Sequence, residues 1–174
     1  MAKSKYLDKI KTLDELESLV AQWKQDKSDA CIGITSGVYD LVHPGHVSLL
    51  ADAGNQCDHL IVVIASDRTV KEQKGEDKPY INEQKRAQTI AGMQSVDAIV
   101  ISDELYHETI LRRVKPNKMF KGDEYRGRQI HGREFVDEMV FIPCNAKDFN
   151  SSSTIAKNIQ EKTPPSEWGR NDYY

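Results

Sequence analysis

Cysteine is scarce in this chain: three residues in 174, Cys31, Cys57 and Cys144, with no CxxC spacing. That excludes a disulfide scaffold and a cysteine-built zinc site, and it suits a reducing compartment. Long apolar runs are missing too. The longest, residues 60–65 (LIVVIA), is far too short to span a membrane. The first twelve residues are charged and polar, unlike a secretory signal, so a cytoplasmic protein with no membrane partner is expected. Nor is there an excess of positive charge: 24 Lys and Arg against 27 Asp and Glu leave a formal net charge of −3. A broad nucleic-acid footprint normally requires a basic surface, so no nucleic-acid partner is expected, although a local basic pocket for phosphates is compatible. No internal repeat, low-complexity tract or domain boundary is visible. The length suits one domain with a proper core.

The informative stretch runs from residue 35 to residue 46, TSGVYDLVHPGH. Before it, residues 30–34 (ACIGI) have the length of a buried strand, and after it residues 47–53 read as the opening of a helix to about Gly54. The junction is therefore expected to run strand, glycine-bearing turn, helix. Gly37 would let the backbone turn sharply and approach a ligand. Pro44 fits the first turn of a helix, where a missing N–H costs nothing. A helix start presents unpaired N–H groups at the positive end of its dipole and attracts phosphate. His43 and His46 add two donors at the same spot. Simpler readings are a solvated helix entry or a pair of zinc ligands, but zinc needs a third and usually a fourth ligand. The stretch is not a P-loop, because the glycine-lysine-serine/threonine ending is absent.

Elsewhere strands alternate with helices. Thr12 and Glu15 have capping-box spacing, and Leu13, Leu16, Leu19, Val20 and Trp23 recur on one face of a helix over about 12–27. Residues 60–65 read as a strand buried on both faces. Residues 68–80 (RTVKEQKGEDKPY) suggest a loop or short helix over the sheet's edge. Asn82 can cap a helix through Met93. Further strands are expected at 98–101, 118–121 and 139–142, with helices at 108–114 and 152–160. The expected fold is α/β: a Rossmann-like, doubly wound, parallel five-stranded sheet with helices on both faces, occupying residues 1–162 as one domain. Residues 163–174 carry two prolines and no periodicity, and an extended tail is expected there. In such sheets ligands bind beyond the carboxyl ends of strands, at a switch in strand order.

TSGVYDLVHPGH resembles the TxGxFDxxHxGH signature of the nucleotidyltransferase superfamily that uses an HxGH motif, with Tyr39 in place of the commoner Phe. That superfamily includes cytidylyltransferases, the adenylyltransferase domain of ADP-heptose synthesis, pantetheine-phosphate adenylyltransferase and class I aminoacyl-tRNA synthetases. The resemblance covers about residues 9–161. It implies transfer of a nucleoside monophosphate from ATP or CTP to a small sugar- or polyol-phosphate, with release of pyrophosphate. Such chemistry needs alignment and fixed positive charge more than a covalent nucleophile.

The same resemblance distributes roles. His43 and His46 would bind and stabilise the reacting phosphates. Thr35, Ser36, Gly37, Val38, Tyr39, Asp40 and Gly45 would belong to the nucleotide site, with Asp40 fixing the turn rather than binding metal. Lys74, in EQKGEDKP, matches the lysine before glycine in sugar-phosphate adenylyltransferases and would neutralise α-phosphate charge. Lys71, one helical turn earlier, competes for that role, and a solvated lysine-rich loop is the plain alternative for both. Arg86 falls where the superfamily places an arginine at the start of the following helix, and it is expected to meet the phosphates or the acceptor; an exposed helix charge is its plain alternative. Lys121, Gly122 and Asp123 open KGDEY, which resembles the KGGDY or GDDW segment of the nucleotide and acceptor pocket. One glycine is replaced, so Asp123 and Glu124 compete for the acidic role. Ser151, Ser152 and Ser153 resemble the ISTTxI segment, suited to holding the β- and γ-phosphates. Magnesium is expected with the triphosphate, bound by few or no protein carboxylates, and no metal site built by the protein is expected.

Three features point to the adenylyltransferase of ADP-heptose synthesis: the opening KIKTLDELESLVAQW, KGEDKP against KGxxRP, and IHGREFV after KGDEY. Glycerol-3-phosphate cytidylyltransferase shares the core motifs and is the alternative. A non-catalytic nucleotide-binding protein is disfavoured by the combined presence of histidines, lysine, arginine and serines. A tRNA-handling enzyme is disfavoured by the missing KMSKS-type loop. A homodimer is expected by family analogy alone.

Overall fold

A computed structural model describes residues 5–143 and 152–162. Strands β1 (Ile32–Gly37), β2 (His59–Ala65), β3 (Ala98–Ser102), β4 (Lys118–Gly122) and β5 (Glu138–Ile142) form one sheet in the order β3-β2-β1-β4-β5. Every pairing is parallel. Parallel neighbours need crossover connections. Helices α1 (Leu13–Asp26), α2 (Pro44–Gly54), α3 (Asp67–Lys74), α4 (Glu83–Ala91), α5 (Glu108–Val114) and α6 (Ser152–Lys162) complete the α/β pattern. The expected tail at 163–174 lies outside the described residues.

Alternation along the strands builds two cores. Ile61 and Val63 of β2 join Leu16 and Val20 of α1 and Ile110, Leu111 and Val114 of α5 on one face. Leu60, Val62 and Ile64 point the other way, onto Leu50 and Ala53 of α2 and Ala87, Ile90 and Ala91 of α4. A strand covered on both faces must be apolar along its buried length, as β2 is from Leu60 to Ala65.

At the amino edge of the sheet, side-chain acceptors pin the register. Asp58, just ahead of β2, accepts the Cys31 N–H at 2.8 Å. Asp97, just ahead of β3, accepts that of Leu60 at 2.7 Å, and Asn117, just ahead of β4, accepts that of Ile32 at 2.9 Å. A one-residue slip would exchange the two faces of a strand, so these anchors protect both cores.

The expected bounds shift at β1 and α4, and the choice of loop or short helix over residues 68–80 is resolved. β1 starts at Ile32 and continues through Gly37, because Thr35, Ser36 and Gly37 pair with Val62, Val63 and Ile64. The charged 68–80 segment contains a defined helix, α3, capped by the Ser66 side chain on the Thr69 N–H and ended by Gly75 at φ 96°. α4 stops at Ala91, and the Gly92 N–H closes on the Gln88 carbonyl. Among the described residues no helix is long and apolar enough to cross a membrane.

Candidate active site

The strand order turns at β1, with β2 on one side and β4 on the other. The carboxyl ends of β1 and β4 open onto a cleft of about 420 Å³. Residues from Thr35 to Asp40 form its wall. The turn is made differently from the sequence expectation. Gly37 stays in the strand, and the left-handed residue is Tyr39, at φ 53°. That conformation costs a non-glycine residue about 1–2 kcal/mol. Gly37 is needed for close approach instead: a Cβ there would lie 3.0 Å from the Tyr39 ring. The ring is buried, and burial pushes its hydroxyl pKa upward against a hydrogen bond with Thr35. Tyr39 is therefore a neutral prop, tilted against His46 with ring centroids 5.1 Å apart.

α2 begins at Pro44, and the two histidines flank its first turn. Their rings lie 3.9 Å apart, and Gly45 between them is buried. The His43 backbone N–H donates to His46 Nδ1 at 3.4 Å. An acceptor Nδ1 leaves the proton of the neutral ring on Nε2. Burial, with the nearby His43 and Lys74, pushes the His46 pKa down to about 4. Burial also lowers that of His43. Both are neutral imidazoles at neutral pH, so they offer N–H hydrogen bonds to phosphate rather than charge.

Arg86 corrects the expectation of a phosphate contact. Its side chain is fully buried, and its guanidinium donates to the carbonyls of Val38, Ala65 and Ile81 and to Asp67 Oδ1 at 2.7 Å. A group so enclosed positions the site and does not reach a ligand. Asp40 acts beside it, accepting the N–H groups of Tyr80 and Ile81 at 2.9 Å each.

Positive charge enters the cleft from two other elements. Lys74 is the last residue of α3 and lines the cleft with His46, whereas Lys71 pairs with Glu76 at 3.7 Å and does not line it. Gly75 ends the helix in a conformation open to glycine, which leaves Lys74 at the rim. From β4, Lys121 Nζ donates to Ser36 Oγ at 2.8 Å. Burial lowers its pKa to about 8, opposed by Glu124. Gly122 lines the cleft beside it. Of the competing acids, Glu124 lines the cleft, while Asp123 turns onto Arg126 at 2.7 Å. That corrects the assignment of Asp123. Ser151 lies outside the described residues; Ser152 and Ser153 begin α6, but their side chains are likewise outside. Among the described residues no group of three His, Cys, Asp or Glu side chains converges to hold a metal. A magnesium ion carried on triphosphate oxygens and water requires no such cage.

Among the cleft residues not singled out from the sequence are Lys78, Tyr80 and His107. Lys78 and Tyr80 had a signal in their KPY spacing, realised as an ammonium 3.0 Å from the ring centroid. His107 had none.

Residues 34–159 match the profile of the cytidylyltransferase-like family. The bifunctional protein HldE of Koribacter versatilis is 41% identical over 152 residues, which are 86% of this chain and 31% of that protein. Its counterpart in Rhodopseudomonas palustris is 38% identical over 155 residues, again 86% and 31%. The chain thus spans 31% of the length of these relatives. Among solved structures, a lipopolysaccharide core biosynthesis protein from Thermoplasma volcanium superposes with a TM-score of 0.57 at 24% identity, covering 66% of this chain and 98% of that one. Pantoate-β-alanine ligase from Francisella tularensis gives 0.55 at 18%, covering 87% and 77%. At these identities the likeness is one of fold.

Two outcomes follow for stability. Arg86→Met leaves three buried carbonyls and Asp67 without their donor, and should cost about 3–5 kcal/mol in chemical denaturation; a change below about 1 kcal/mol would contradict the buried role. His46 and His107 both hold folded pKa values of about 4 against an ordinary 6.5. As pH falls the unfolded chain binds protons first, so stability should be full above pH 6.5 and decline between there and about 4. Urea midpoints across that window, flat if the burial is wrong, check the sign.

Proposed function

The chain belongs to the cytidylyltransferase-like family and is a nucleotidyltransferase, and on that premise we propose transfer of adenylate from ATP to a heptose 1-phosphate, with release of pyrophosphate. The observation that carries this reading is the convergence of His46 from α2, Lys74 from α3 and Lys121 from β4 on one cleft. A triphosphate laid over the start of α2 meets the helix N–H groups and the His46 Nε2–H, with the His43 ring tilted against that of His46. An oxygen of the acceptor phosphate attacks the α-phosphorus, the bond to the bridging oxygen breaks, and pyrophosphate carries away the electron pair. Negative charge grows on the phosphoryl oxygens and the leaving group, and Lys74 and Lys121 stand ready to offset it. Magnesium, held by phosphate oxygens and water, would supply further charge neutralisation. Asp40 is committed to backbone N–H groups, so Glu124 is the cleft acid nearer to hand.

Support for the heptose type comes from the opening helix, the KGEDKP segment after α3 and the HldE relatives. The alternative, cytidylyl transfer to glycerol 3-phosphate, uses the same machinery. Pyrophosphate release with magnesium, pairing ATP or CTP with heptose 1-phosphate, glycerol 3-phosphate or ribitol 5-phosphate, decides between them. Turnover is expected with ATP and heptose 1-phosphate. Turnover with CTP and glycerol 3-phosphate alone would replace this reading by the alternative. His46→Ala and Lys74→Ala should each lower kcat by roughly 100-fold or more, and Lys71→Ala by no more than about threefold. The reverse order for the two lysines would move the catalytic charge one turn upstream.

A further inference from the structure

A smaller cavity of about 160 Å³ adjoins the cleft, and Thr35, Ser36, Leu105, His107, Lys121 and Tyr125 are common to both. The floor of this chamber is Ile34, Val63, Leu111 and Met119, all from the core layer that holds α1 and α5. The histidine pair instead stands at the start of α2, whose Leu50 and Ala53 pack in the opposite layer. The chamber and the phosphate-binding turn thus approach the shared wall from opposite faces of the sheet.

Nucleotidyl transfer is a displacement in which the attacking and leaving oxygens lie roughly in line through phosphorus. With pyrophosphate leaving on the α2 side, the acceptor must attack from the α5 side, where the chamber opens. We propose that His107 is a specificity-determining residue of the transferase, its imidazole hydrogen-bonding a hydroxyl of the acceptor's sugar or polyol body inside this chamber. The inference rests on the transferase reading.

His107 itself is built unlike a structural histidine. It precedes α5 in a left-handed conformation, φ 56°, and its side chain makes no capping hydrogen bond. Its Nδ1 is buried and has no hydrogen-bond partner among the described residues. A buried, unpaired polar atom on a strained residue is costly, and such combinations concentrate at functional sites. Burial, with the Lys121 charge beside it, pushes its pKa down to about 4. The neutral ring carries one donor and one acceptor nitrogen, which matches a hydroxyl that can both accept and donate. The apolar floor suits the C–H face of a sugar, with the polar contacts confined to a few groups. At the chamber's rim the Tyr106 and His131 rings stack at 3.7 Å, joining the loop before α5 to the segment after β4.

The test compares wild type with His107→Gly and His107→Asn, using ATP and heptose 1-phosphate with magnesium. Glycine accepts the left-handed backbone and removes the imidazole, while asparagine tolerates that backbone and keeps a hydrogen-bonding group near the Nδ1 position. His107→Gly should raise the acceptor KM about tenfold or more and leave the ATP KM within about twofold. His107→Asn should bring the acceptor KM back to within about threefold of wild type. Neither variant should lower Tm, since each relieves the backbone. An unchanged acceptor KM, or acceptor and ATP KM values rising together, would overturn the assignment while wild-type turnover still upheld the transferase reading. A wild type that releases no pyrophosphate with any acceptor phosphate would remove both.

Discussion

A buried guanidinium organises the working edge of this protein. Arg86 ties the carbonyl of Val38, just past β1, to that of Ala65 at the end of β2, that of Ile81 ahead of α4, and the carboxylate of Asp67 at the start of α3. A charge taken out of water must find partners for its hydrogens, and here the partners are four segments that would otherwise be free to shift. Asp40 reinforces the arrangement by capturing two backbone N–H groups of the 80–81 segment. The knot joins the turn that leads into α2, which carries His46, to the start of α3, which carries Lys74. Rigid support of that kind is what a reaction driven by alignment and fixed charge demands.

The two edges of the sheet divide the labour. At the amino edge, Asp58, Asp97 and Asn117 spend their side chains on backbone N–H groups and hold the strand register. At the carboxyl edge Arg86 and Asp40 hold the backbone, while His46, Lys74 and Lys121 line the cleft. Its electrostatics are local: a chain of formal charge −3 gathers Lys74, Lys78 and Lys121 around one cavity. The histidines add directed N–H donors without added charge, because burial keeps them neutral.

What could be read from the sequence was whatever is contiguous. The β2 run is apolar at each of its inner positions, so a doubly covered strand followed directly from it. TSGVYDLVHPGH carries its turn, its helix start and both histidines within twelve positions. Arg86 was expected at the phosphates because its place at a helix start matches the superfamily pattern, and that pattern does not show which way the side chain turns. Its burial depends on carbonyls 48 and 21 residues away. The choice between Asp123 and Glu124 turned on an ion pair to Arg126, a one-residue matter that no spacing encodes. The turn expected at Gly37 falls at Tyr39 instead, and glycine at 37 leaves room for the Tyr39 ring. His107 lies in a linker with no periodic or motif context, and only the meeting of two cavities singles it out.

Phosphorus NMR of the wild-type protein with magnesium, ATP and heptose 1-phosphate tests the central claim most directly. The α-phosphorus of ATP should pass into a new sugar–nucleotide diphosphate, with pyrophosphate appearing in equal amount. Orthophosphate and ADP in their place, or unchanged resonances from a mixture in which ATP is bound, would contradict adenylyl transfer at this cleft.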